Sequence, residues 1–235
     1  MQLFYNPNID ATVSQFVFDK IESKHVVKVL RKKEGDTLHI TNGKGHLFTC
    51  QIIIASDKKC VASIIASKEM PPHRDYVLHV AIAPTKNNDR MEWFLEKATE
   101  IGIDEITPII CDNSERRVVK IERFQKILQS AMKQSLQFQL PKLNDPMLLS
   151  DFMMQKLKGS TYIAHCEDGE KKGIKDLIGS KQNVTILIGP EGDFSSKEIT
   201  TALEKGYIPI SLGETRLRTE TAGIVAVQNI AFINQ

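Results

Sequence analysis

The residues best equipped for chemistry lie in the last fifty of this 235-residue chain, in two segments punctuated by glycine. Gly213-Glu-Thr-Arg216-Leu-Arg218-Thr-Glu220-Thr-Ala222 brings two guanidinium groups and a carboxylate into one short excursion. Gly189-Pro190-Glu191-Gly192 sets a further carboxylate between glycines. Arginine stays protonated, so it can stabilise developing negative charge but cannot accept a proton, whereas a carboxylate can. The plainer reading of the same residues is a tight turn at 189–192 and a charge-balanced loop, with Glu220 favourably placed near a helix N-terminus. One popular reading is excluded. A polyphosphate cradle needs consecutive free backbone N–H groups and little negative charge, and here Pro190 removes a donor while Glu191 adds a charge. No G-x-G-x-x-G opens any helix either. A neutral or cationic ligand held through backbone atoms fits better.

The elements that must position these residues alternate from Tyr76 onward. The pattern predicts a strand over 76–83, a helix over Asp89–Ile101 stopped at Gly102, and a strand over Glu105–Cys111. A second helix carries the stripe Ile121, Phe124, Ile127, Leu128, Ala131 and Leu136. A short helix near Asp151–Lys158 and a strand over Thr161–His165 follow. Strand 184–188, a helix over 196–205, strand 207–212 and a helix starting at Ala222 complete the run. Ser195 and Glu198 have capping-box spacing, and Gly206 follows the last turn. Such alternation means a parallel sheet covered on both faces, with ligands at its carboxyl edge. Both glycine loops leave that edge, so they are expected to wall one pocket. Lys86 and Arg90, in the junction Pro84–Trp93, stand at the same edge, where Asp89 could cap the helix.

Residues 1–68 read differently. Thr37–Thr41, the turn Asn42-Gly-Lys-Gly45, His46–Ile54 and Cys60–Ala66 predict short strands. A short helix over Glu22–Arg31 is expected, with Ile21, Val26, Val29 and Leu30 facing inward. Together these point to a small barrel. Met70-Pro-Pro-His-Arg-Asp75 reads as a linker, giving domains over 1–69 and 74–235. The first 68 residues hold ten Lys+Arg against six Asp+Glu, while the rest hold 21 against 23. That asymmetry is as compatible with an acidic partner for the first segment as with a solvated surface. The four cysteines and six histidines fall into no metal-ligand spacing, so no metal is expected. No apolar run approaches the roughly 20 residues of a membrane span, and the start lacks signal-peptide layout. A cytoplasmic protein without membrane contact is expected.

With these residues in place, a family resemblance emerges. Ile188-Gly-Pro-Glu-Gly192 with Glu198, then Leu212-Gly213 and Leu217-Arg218-Thr-Glu-Thr-Ala222, resemble the signature of the bacterial 16S rRNA uracil-N3 methyltransferases, the RsmE family. His25–Arg31, the set Lys86, Arg90, Glu92, Lys97, Glu100 and Gly102, and Gln134-Ser135 with Pro141 extend the match over nearly the whole chain. One departure is that Leu136-Gln137-Phe138 stands where the family commonly has Arg.

The resemblance implies a PUA-like RNA-binding β-barrel, then a SPOUT-type α/β domain whose parallel sheet ends in a C-terminal trefoil knot. It implies S-adenosylmethionine as methyl donor, 16S rRNA of the small ribosomal subunit as substrate, and a homodimer. It assigns Leu187, Gly189, Glu191, Gly192, Leu212, Gly213, Leu217, Arg218 and Thr219 to the cofactor pocket or its supporting shell. Uracil N3 must lose a proton and the flanking carbonyl oxygens gain negative charge, so Arg218 is expected to stabilise that charge. Glu220 is the expected base, with Glu191 behind it. Arg31, Lys32, Lys33, Lys86 and Arg90 are expected to meet RNA, although the first three could equally serve as favourable charge at a helix C-terminus. The alternatives are a SPOUT methyltransferase for another rRNA or tRNA nucleotide, and a non-catalytic RNA-binding dimer.

Overall fold

The computed structural model describes residues 1–10, 12–72 and 74–235; His73, inside the expected linker, lies outside the described residues. The chain forms two compact units, Met1–His73 with Met132–Leu140, and Arg74–Ala131 with Pro141–Gln235.

The first unit is built on five strands: β1 (Leu3–Tyr5), β2 (Gln15–Val17), β3 (Thr37–Thr41), β4 (His46–Ile54) and β5 (Val61–Glu69). Their order is β1-β3-β4-β5-β2, with β1 parallel to β3 and the other pairs antiparallel. Register shifts between β4 and β5 at Thr49/Cys50 and Ile52/Ile54 curl the sheet into a half-barrel, because extra residues bend and twist a strand. Phe4, Phe16, Phe18, Val26, Ile40, Phe48 and Ile52 fill its concave side. Residues 136–140 belong here too. Leu140 N–H donates to the Gly43 carbonyl (2.9 Å), while the Phe138 carbonyl accepts from Gly45 N–H (2.9 Å) and the Thr41 hydroxyl (3.1 Å).

Helix α1 (Lys20–Lys24) starts earlier than expected, because the Asp19 carboxylate caps it by accepting Glu22 N–H, and it continues as a π-helical turn over His25–Val29. The wider turn shifts the phase of the apolar stripe. Ser23 and Val26 point inward, whereas Ile21 (81% exposed) and Val29 (64% exposed), expected to face the core, lie outside.

The second unit contains α2 (Asn88–Ile101), α3 (Ile121–Gln134, its last residues counted with the first unit), α4 (Leu149–Phe152), α5 (Ile174–Leu177), α6 (Ser196–Glu204) and α7 (Thr219–Ile233). Its strands are β6 (Leu78–Ile82), β7 (Glu105–Ile110), β8 (Lys142–Leu143), β9 (Met147–Leu148), β10 (Ser160–Ala164), β11 (Lys172–Gly173), β12 (Val184–Ile188) and β13 (Ile208–Ser211). They form a parallel sheet in the order β11-β13-β10-β12-β6-β7-β8, with β9 also on β7. Central strands β12 and β6 are buried at every residue. They therefore read as continuous apolar runs, as a strand covered on both faces must.

Three expectations need correction here. Asn87, not Asp89, caps α2: its side chain accepts Asp89 N–H. Leu136 is not on the α3 stripe. The helix ends at Gln134, and Leu136 adopts φ +55° as Gln137 N–H turns back to the Met132 carbonyl. Helix α7 begins at Thr219, three residues before the expected start.

Early in β6, His79 is buried beside Phe152 and hydrogen-bonded to the Thr107 hydroxyl (2.8 Å), which also accepts from Asn144 (2.7 Å). Burial pushes the imidazole pKa down to about 4, against the weaker upward pull of the Glu105 carboxylate. The folded state therefore keeps His79 neutral while the unfolded chain protonates it near pH 6.5. The stabilisation is complete above that value and is lost as pH falls towards 4. Between pH 7.5 and 5, wild type should lose about 2 kcal/mol more unfolding free energy than His79→Gln. Urea titrations at the two pH values measure the difference, and equal losses would exonerate this residue.

Candidate active site

The carboxyl edge of the second sheet gathers three loops, and side chains staple them together. The first leaves β12 at Ile188. Its turn closes with Asp193 N–H on the Pro190 carbonyl (2.9 Å), and Asp193 itself takes φ +63°. The Asp193 carboxylate accepts Phe194 N–H (2.8 Å) and, from the loop after β10, Cys166 N–H (2.6 Å). Asn113, just beyond β7, donates its amide to the carbonyls of Gly192 (3.2 Å) and Asp193 (3.1 Å). A Cβ on Gly192 would sit 3.2 Å from Asn113 Cβ, and one on Gly189 would sit 3.1 Å from the Phe194 ring. Both glycines therefore secure close packing of the loop. The capping box forms as expected at Ser195 and Glu198. Glu198 also accepts Asp112 N–H (2.9 Å), and Ser195 donates to the Asp112 carboxylate (2.7 Å), so helix α6 is fastened to the end of β7.

The second glycine loop follows β13. Gly213 has φ +148°, which side-chain-bearing residues rarely adopt, and its pro-Cβ direction meets nothing within 4 Å. At the far end Arg218 occupies the N-cap position of α7 in extended conformation, its own side chain exposed and making no cap bond. The next two residues turn inward. Thr219 donates its hydroxyl to the Gly189 carbonyl (3.1 Å), joining the two loops directly. Glu220 is only 6% exposed; one oxygen lies 3.8 Å from Arg90 Nε, and the other is buried without a hydrogen-bond partner.

These loops enclose two adjoining cavities, of about 660 and 300 Å³, which share Ala164, Cys166, Asp193, Arg216, Leu217 and Ala222. Gly192, Leu212, Gly213 and Leu217 line the larger; Gly189, Glu191, Leu217, Arg218 and Thr219 line the smaller. Leu187 reaches neither. It is fully buried in the apolar cluster beneath, with Phe194, Ile199 and Tyr207, and supports the pocket from below. The third wall, His165, Cys166, Glu167 and Lys171, escaped sequence reasoning. Its one sequence signal is position, since the strand read over Thr161–His165 also ends at the carboxyl edge. Asn113 gave no signal, because a lone asparagine donating to distant carbonyls has no local pattern.

Glu191 has a definite employment: it accepts Lys86 N–H (2.9 Å). Arg116 holds the following peptide unit by donating to the Lys86 carbonyl (2.7 Å), and also reaches Asn88 Oδ1. The Lys86 ammonium pairs with Glu115 (2.8 Å) on the exposed surface. Arg31, Lys32 and Lys33, in the first unit, line an open cleft of about 520 Å³ with Val27, Glu34 and Ala55. Among the described residues no group of His, Cys, Asp and Glu is arranged to hold a metal, and no helix is long and apolar enough to cross a membrane.

Residues 72–231 match the RNA methyltransferase domain, and residues 18–65 match the RNA methyltransferase PUA domain. Ribosomal RNA small subunit methyltransferase E of Buchnera aphidicola is 31% identical, over 93% of this chain and 88% of its own. A structure described as a probable rRNA-methyltransferase of Porphyromonas gingivalis superposes with TM-score 0.93 at 40% identity, covering 100% of this chain and 98% of the other. A Legionella pneumophila protein assigned as a methyltransferase, solved in complex with the bound cofactor SAM, gives TM-score 0.88 at 28% identity over 99% and 97%. The chain belongs to the RNA methyltransferase family that includes ribosomal RNA small subunit methyltransferase E.

The cavities suit that cofactor. Most of their lining residues are uncharged, and the charged ones are of both signs, Glu167, Glu191, Asp193 and Glu214 with Lys171, Arg216 and Arg218. Such a lining suits a ligand with an apolar and polar nucleoside, a sulfonium and a zwitterionic end.

The start of α7 is fixed by Gly223, where a Cβ would lie 2.6 Å from Phe94 Cε2 and 3.0 Å from Ile82 Cδ1. Gly223→Ala should lower stability by about 1–3 kcal/mol through overpacking, despite the better helix propensity of alanine. Chemical denaturation checks this, with Gly206→Ala as a control whose strain comes from φ +85° in open space.

Proposed function

We propose that this protein transfers the methyl group of S-adenosylmethionine to N3 of a uridine in 16S ribosomal RNA. The observation that carries the proposal is the pair of stapled glycine loops enclosing adjoining cavities, with Arg218 and Thr219 at the wall of the smaller one. S-adenosylmethionine, when bound, supplies an electrophilic methyl on a sulfonium centre.

The chain's own residues do the rest. Arg218 carries a permanent charge beside the smaller cavity, where it stabilises the negative charge that spreads over the uracil oxygens. Glu220 takes the N3 proton. Its side chain lines neither cavity, so N3 must be brought to its unpaired oxygen at the buried start of α7, where Arg90 and the first-turn N–H groups of the helix stabilise the carboxylate before transfer. Glu191, bound to Lys86 N–H, sets the shape of the loop and stands second as a base. Gly189, Gly192, Leu212, Gly213, Leu217 and Thr219 form the cofactor walls on the support of Leu187. Lys86 and Arg90 at the sheet edge, and Arg31, Lys32 and Lys33 at the basic cleft, supply cations for RNA phosphates.

The same proposal includes a cytoplasmic homodimer acting on the small ribosomal subunit. Its support is α7, which is predominantly apolar from Ala222 to Ile233 yet leaves Phe232 70% exposed, with Trp93 of α2 43% exposed; large apolar side chains left in solvent on neighbouring helices favour a partner surface. A C-terminal trefoil knot belongs to the proposal too: β13 lies outside β10, while α7 returns to pack on α2, β6 and β12.

Purified protein is incubated with radiolabelled S-adenosylmethionine and small subunits lacking the modification. Label is expected as 3-methyluridine in 16S rRNA, and label in another nucleoside or RNA would overturn the assignment. Arg218→Ala should lower turnover by roughly 10²–10³-fold while leaving circular dichroism unchanged; wild-type turnover in that variant would remove Arg218 from the mechanism.

A further inference from the structure

Among the described residues, three histidines bury ring nitrogens that lack a hydrogen-bond partner. In His39 and His46 this is true of Nδ1 alone, whereas in His165 both Nδ1 and Nε2 are closed off and unpaired. Buried polar atoms without partners are rare and destabilising, so each calls for a physical reason. His165 also lines the larger cavity. Its main chain is held on both sides: the His165 carbonyl accepts from the Lys171 ammonium (2.9 Å), and the following N–H of Cys166 donates to Asp193 (2.6 Å). The two ring nitrogens are thus unspent hydrogen-bonding groups on a residue of the cavity wall.

We propose that His165 is a cofactor-contact residue that hydrogen-bonds the nucleoside half of S-adenosylmethionine. This rests on the cofactor reading given above. Burial lowers the pKa of His165, and the Lys171 ammonium lowers it further, against the opposing carboxylates of Asp193 and Glu167. The ring is thus neutral at physiological pH and offers one N–H donor and one nitrogen acceptor. That pair complements the neutral groups of a nucleoside, namely an adenine edge with its amino donor and ring-nitrogen acceptor, or the ribose hydroxyls. The ammonium and carboxylate of the amino-acid end are better matched by the charged groups of the same lining, Glu167 and Glu214 with Lys171 and Arg216. Gly213, which lines the same cavity, has open space where a side chain would stand, leaving room for a bulky ring system.

The test titrates the full-length protein with S-adenosylhomocysteine and with 5′-methylthioadenosine, which share the nucleoside and differ at the amino-acid end. His165→Phe keeps a ring and removes both polar atoms; His165→Asn keeps one donor and one acceptor. The phenylalanine variant should bind both compounds about tenfold more weakly or worse, and the asparagine variant within about threefold of wild type. The ligand-free phenylalanine variant should melt at or above the wild-type temperature, because its unpaired buried atoms are gone. Unchanged binding of both compounds overturns the inference, and so does a loss confined to S-adenosylhomocysteine. Weaker binding accompanied by a lower melting temperature also overturns it, since that marks a purely structural role. Wild-type protein that binds neither compound overturns the cofactor reading itself, and this inference with it.

Discussion

Asp193 sits in a left-handed backbone conformation and gives both carboxylate oxygens to backbone N–H groups, one in its own loop and one in the loop after β10. Asn113 answers from the opposite side by donating to the carbonyls of Gly192 and Asp193. Loops departing from β7, β10 and β12 are thereby locked to one another, and Thr219 adds the loop after β13 through Gly189. This is possible only because those strands are parallel and release all four loops at one edge. Charge-assisted bonds to backbone N–H groups are stronger than neutral ones. The cavity walls are therefore set before any ligand arrives, which limits the ordering that binding must impose.

The distribution of charge around the cavities follows from the same packing. Glu191 is turned to a backbone N–H, Lys86 to Glu115, and Glu220 towards Arg90. Arg218 enters none of these ion pairs and lies exposed at the N-terminus of α7, where it lines the smaller cavity. A cation not already neutralised by a carboxylate acts with more of its field on whatever sits in front of it, the more so once a bound ligand excludes water from that wall. The interior of α7 one turn further on has no such freedom, because Gly223 rests against Phe94.

Much of this was legible in the residues themselves. Strands β3, β4 and β12 have the bounds that alternation or a continuous apolar run predicts, and the Ser195–Glu198 box formed as its spacing required. What escaped was whatever depends on a partner far away in the chain. The π-helical turn after α1 moved Ile21 and Val29 to the surface, and no periodicity announces an extra residue in one turn. Helix α7 begins three residues early because Thr219 and Glu220 are drawn onto the Gly189 loop and Arg90. The wall at 165–171 and the work of Asn113 and Arg116 rest on single side chains bonding distant backbone. Local sequence carries the rhythm of a strand or helix; it carries no record of such isolated bonds.

The pairing of residues 136–140 with the turn between β3 and β4 has a consequence for how the protein is made. A chain emerging from its amino terminus exposes all five strands of the half-barrel long before the segment that closes onto Thr41, Gly43 and Gly45 has been synthesised. Hydrogen-bonding groups at that rim therefore remain open while α2 and β7 are already appearing, so the amino-terminal unit cannot be completed as an independent early foldon. Cutting the gene at the proline-rich junction would yield a fragment deprived of its own closing piece. The boundary in the sequence and the boundary of autonomous folding are different places.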